Sequence, residues 1–179
     1  MEPFRSVRGG GVRAVLAASE AELLRSLVGQ VMDLIEPEAA KAQDLDELEA
    51  ILQADAAETP TDPVLARLLP DGYRDDPAAS TEFRKYTELS LRASKHESAQ
   101  AMLDSLPEQG GKIQLTPEQA QAWLKALNDV RLALGTKLGV AEDFEQQWDG
   151  LAAKDPRRTA FEVYAWLGAV QESLVRALW

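Results

Sequence analysis

At 179 residues with 45% apolar content, the chain falls within the size of one domain and can bury a core without disulfides or metals. It contains no cysteine, which excludes thiolate catalysis, disulfide staples, thiol-based redox sensing and any zinc site that uses cysteine. A formal net charge of −11 opposes autonomous DNA binding and adhesion to anionic lipid.

That charge is uneven. Residues 1–16 hold Arg5, Arg8 and Arg13 against Glu2 alone, whereas residues 33–62 hold ten acids against Lys41. The first residues lack the basic stretch and apolar run of a signal peptide, and the longest apolar runs, such as 14–18, are too short to cross a bilayer. A cytoplasmic protein with no membrane partner is expected.

Residues 4–16 place two β-compatible stretches around Gly9-Gly10-Gly11, which predicts an N-terminal hairpin. Ser19 and Glu22 have capping-box spacing, and Leu23, Leu24, Leu27, Val28, Val31, Leu34 and Ile35 follow at helical spacing as far as Pro37. Asp44 opens a shorter amphipathic stretch with Leu45, Leu48, Ile51 and Leu52, and 54–62 reads as an exposed acidic loop. Asp62-Pro63 starts a short helix that Pro70, Asp71 and Gly72 terminate.

Asp76-Pro77 opens a helix of about eight turns, since no Gly or Pro follows until Pro107. The run 112–115 is β-like and is a candidate third strand. Thr116-Pro117 with Gln119 opens the next helix, whose apolar face runs from Trp123 to Leu138. Residues 142–153 form a short helix or an ordered loop. Asp155-Pro156 opens the last helix, and Leu174, Val175, Leu178 and Trp179 at its end either complete the core or make a homodimer contact. The fold class is mainly α: a single-domain helical bundle over 19–179 with a small β element.

No pattern for catalysis or cofactor binding emerges. His96, the only histidine, lies among charged neighbours on a helix with no nucleophile elbow and no HExxH. The acid pairs Asp46/Glu49 and Glu142/Asp143 lack the converging oxygens a hard cation needs, and the Gly9 run lacks both GxGxxG and the Lys-Ser/Thr of a phosphate loop. The chain is read as non-enzymatic, without cofactor or metal.

Two polar sets remain. Arg84, Glu88, Arg92 and Lys95 share a helix face; this stripe either holds phosphates, as in a nucleic-acid contact, or an acidic partner, or is satisfied by Glu88 pairing with Arg84 and Arg92. Asn128, Asp129 and Arg131 interrupt an apolar helix and, with Glu162 and Gln171, form either a buried polar network or a ligand pocket. Arg5, Arg8 and Arg13 on the hairpin are a third candidate, for contact with a partner or with DNA.

Several stretches resemble an actinobacterial family of unknown function, commonly encoded beside the ClpS adaptor. They are 7–11 (VRGGG), 23–28 (LLRSLV), 62–70 (DPVLARLLP), 123–129 (WLKALND), 131–136 (RLALGT), 164–168 (YAWLG) and 171–174 (QESL). The resemblance covers essentially the whole chain. One branch of the family is an AosR-like oxidative-stress transcriptional regulator that switches through a pair of cysteines, and this chain has none. The resemblance implies regulation of transcription through a protein partner, a transcription-machinery or Clp-associated component.

Overall fold

A computed structural model describes residues 1–36, 60–73, 75–141, 144–152 and 154–179. The stretch around 44–52, most of the expected loop 54–62, and the pairs Asp46/Glu49 and Glu142/Asp143 lie outside these residues. Within them are three strands and six helices.

The hairpin forms from β1 (Glu2–Ser6) and β2 (Val12–Leu16). Gly9 and Gly10 turn the chain with φ of 106° and 91°, a region that costs other residues a steric clash. The turn is closed by Val7 N–H donating to the Gly11 carbonyl at 2.8 Å and Gly10 N–H donating to the Val7 carbonyl at 3.2 Å. The third strand, β3 (Gly111–Leu115), pairs antiparallel with β2 from Val12↔Leu115 to Leu16↔Gly111, giving the order β1-β2-β3. Side chains alternate across a strand. Phe4, Val12, Ala14, Leu16, Ile113 and Leu115 face inward and are buried.

Helix α1 (Ala18–Ile35) starts earlier than the Ser19/Glu22 reading: Ala17 is the N-cap, and the Glu20 carboxylate accepts from Ala17 N–H at 2.7 Å. Ala17 has no side-chain acceptor, so half of the reciprocal box suffices. Helix α2 (Pro63–Leu68) is capped by Asp62, and α3 (Pro77–Ser105) by Asp76, each with Pro in its first turn. Helix α4 (Pro117–Leu138) has the full box between Thr116 and Gln119 and ends on Gly139 at φ 64°. Helix α5 (Phe144–Asp149) is short. Helix α6 (Arg158–Leu178) begins three residues after Asp155, because Asp155 accepts from Arg157 N–H and forms a turn before the helix; the Arg157 side chain holds the Asp155 carboxyl at about 2.

Helix α4 is central and packs against α1, α2, α3 and α6. Its Trp123 is fully buried, meets Phe4 of β1 edge-on at 5.7 Å, and donates from Nε1 to Ser105 Oγ of α3 at 2.7 Å. One residue thereby joins sheet, long helix and central helix, and its polar atom is satisfied. At the end of α6, Leu174 is fully buried and Leu178 packs on the core, while Trp179 is 82% exposed. Among the described residues no helix is long and apolar enough to cross a membrane.

Candidate interaction surface

The outward face of the sheet concentrates positive charge. Register places Arg5 directly opposite Arg13, and Arg13 directly opposite Gln114, so the three share the outer face and all are exposed. Lys112 pairs with Val15, one step along the same face, and Arg8 stands exposed in the turn. The strands and turn carry Arg5, Arg8, Arg13 and Lys112 against Glu2 alone. None of these four cations forms a side-chain hydrogen bond or ion pair among the described residues. Like charges directly opposite on a sheet oppose pairing, so this arrangement works against local stability.

The edge of β1 is covered rather than open: Phe4 N–H points away from β2 to Ser173 Oγ on α6 at 3.4 Å. Near the turn, a groove lined by Arg8, Gly9, Gln114, Thr116 and Pro117 extends the cationic face toward the start of α4.

The stripe on α3 is used inside the molecule, with Glu88 pairing with both Arg84 and Arg92 as the second of the two readings has it. Arg84 is 5% exposed; it donates to Asp71 at 2.7 Å, to Glu88 at 2.8 Å and to the Leu69 carbonyl at 3.1 Å. Arg92 pairs with Glu88 at 2.7 Å and donates to the Ile35 carbonyl, one of the orphan acceptors at the end of α1. The row therefore ties α3 to the end of α2 and the end of α1. Burial alone would raise the Glu88 carboxyl, but the hydrogen bonds from Arg84 and Arg92 outweigh it and hold the group below its ordinary value.

The polar set on α4 divides. Asp129 is buried and accepts from Lys95 of α3 at 2.6 Å, while Arg131 reaches α6, donating to Gln171 at 2.7 Å and lying over the Tyr164 ring at 5.1 Å. Two residues on a helix are separated by about 200°, so Asp129 and Arg131 serve opposite faces. Asn128 and Glu162 are exposed and belong to no buried network, which corrects that expectation. Gly168 lies beside Arg131, whose guanidinium is 3.7 Å from where a Cβ would stand, an ordinary contact distance. Burial pushes the Asp129 carboxyl up, and Lys95 offsets this in part. The shallow groove between α1 and α4 is lined mainly by apolar residues, including Leu27, Val31 and Val130, with Gln30 and Lys137, and includes none of the five.

His96 is exposed, and among the described residues no group of His, Cys, Asp or Glu could hold a metal ion. Sequence reasoning missed Lys112, Lys95 as the partner of Asp129, and Tyr164. Alternation along 112–115 puts Lys112 and Gln114 on one face of their own strand, but joining that face to Arg5 and Arg13 takes the register with β2.

These features define a helical protein with a three-stranded sheet whose distinguishing surface is an open cationic face. The chain belongs to the domain-of-unknown-function family DUF2017, whose family model matches residues 1–178. It is similar to a Mycobacterium leprae protein bearing the AosR name, 38% identical over 97% of this chain and 85% of that protein. It is also similar to the oxidative stress regulator AosR of Mycobacterium bovis and of Mycobacterium tuberculosis, 37% identical over 95% of this chain and 83% of each relative. No solved structure matches the chain.

Proposed function

We propose that this chain is a non-enzymatic, cytoplasmic regulator of transcription that acts through contact with a protein of the transcription machinery or a Clp-associated component. The observation that carries this reading is the similarity to relatives named as oxidative stress regulators over almost the whole chain. It gains support from Arg84, Arg92, Lys95, Asp129 and Arg131, whose side chains serve as internal ties, and from the charge of −11, which opposes tight DNA binding by the chain alone. The signal cannot be a cysteine pair, because the chain has no cysteine.

Affinity capture from native lysate, followed by transcription in vitro with the captured component, tests the reading. Retention of RNA polymerase, a sigma factor or a Clp component, together with a change in transcript level, is the expected result. Capture of none of these, with transcription unchanged on addition of the chain, rejects it. A ligand pocket around Asn128, Asp129 and Arg131 has less support, because Asn128 is exposed and the other two side chains serve opposite sides of α4.

A further inference from the structure

We infer that the outward face of the three-stranded sheet is a docking surface for a short acidic segment of a partner protein, held by Arg5, Arg13 and Lys112 with Arg8 at one end. This rests on the reading of the chain as a regulator that works through protein contacts, and it identifies the surface and the chemistry of the partner.

Three observations meet here. Arg5 and Arg13 are opposed across the β1–β2 ladder with no carboxylate between them, a destabilising choice in a chain that is rich in acids elsewhere. Lys112 arrives from a strand about a hundred residues away and joins the same face. Gln114 completes the Arg5–Arg13 row with a neutral group that can both donate and accept, and Val15 lies half-buried between Glu2 and Lys112 on the next row. Arginine forks match carboxylates in bidentate geometry, so a face with two of them side by side suits clustered acids.

Size and field decide between an acidic segment and a nucleic acid. Three strands about 4.8 Å apart span roughly 10 Å, and five residues at about 3.3 Å each span roughly 16 Å. Such a patch accommodates about four or five residues of an extended chain. A duplex carries a charge every 1.7 Å or so along its axis, and its flanks would extend over a molecule whose remaining charge is strongly negative. A short acidic segment places its charges on the patch and nowhere else.

The test is an NMR titration of the full chain with a hexaglutamate peptide, with hexaglutamine and a random-sequence DNA duplex as comparisons. The expected result is that hexaglutamate shifts amides of the strands and the turn, weakens several-fold between about 0.05 M and 0.3 M salt, and binds at least about tenfold less to the Arg5→Gln/Arg13→Gln/Lys112→Gln variant. The melting temperature of that variant should equal or exceed that of the parent, which separates lost binding from lost fold. Arg8→Glu, in the turn and outside the ladder, should weaken binding as well. Absence of strand shifts, shifts unchanged in both variants, or a duplex that perturbs the same residues at lower concentration than the peptide would each overturn the assignment. If the peptide fails while the chain still alters transcription, the surface is wrong and the regulatory reading stands.

Discussion

Arg13 has a cation on one flank and a neutral amide on the other, so its charge is a cost to the ladder that contains it. Arg13→Thr, which keeps a strand-favouring side chain and removes the repulsion with Arg5, should stabilise the fold by about 0.2–1 kcal/mol. Thermal melts at low salt would show the gain, and high salt should shrink it. Glu88 is the opposite case, a carboxylate satisfied by two guanidinium groups. Its folded pKa lies below the unfolded value near 4.5, so its contribution is complete above that pH and is lost as pH falls through the folded pKa. Glu88→Gln should cost roughly 1–3 kcal/mol at neutral pH, since it leaves Arg84 buried with one ionic partner fewer. Acid titrations of stability should also be flatter below about pH 4.5 in this variant than in the parent.

At the scale of elements, burial ranks the apolar stripes that spacing alone leaves equal. Leu174 on α6 is fully buried, while Leu27 on α1 is half-buried beside a shallow groove. Leu174→Ala should therefore cost about 2–5 kcal/mol in denaturant unfolding, and Leu27→Ala clearly less. Equal losses would contradict this packing. Trp179, beyond the last turn and 82% exposed, should be nearly silent when changed to Ala, within about 0.5 kcal/mol. If light scattering instead shows a dimer that this change dissociates, the exposed ring is a contact between copies.

For the molecule as a whole, the missing cysteines separate this chain from any thiol switch. Diamide, which oxidises thiols, should leave its mass, melting temperature and partner capture unchanged. A shift in any of the three would require another oxidant-sensitive group. The whole molecule also shows two contrasting sets of cations. Arg84, Arg92 and Lys95 on α3 are consumed in ties within the molecule, whereas Arg5, Arg13 and Lys112 on the sheet face outward and have no such ties among the described residues.

Local chemistry was enough to place most element boundaries. Asp62-Pro63, Asp76-Pro77 and Thr116-Pro117 open helices because cap acceptor and ring geometry act within a few residues, and Gly139 ends one because it adopts positive φ at no steric cost. Where local signals competed, as at Ser19 and Asp155, the start moved by two or three residues. The splitting of Asp129 from Arg131 was also legible in helical spacing, although their partners were not. Helical period states which residues share a face but not which neighbour that face meets, and so Arg84 and Arg92 read equally well as a binding stripe or as internal ties. Only the tertiary structure put Asp71, Leu69 and Ile35 beside them and set Lys112 on the same face as Arg5 and Arg13, because those contacts join segments far apart in the chain.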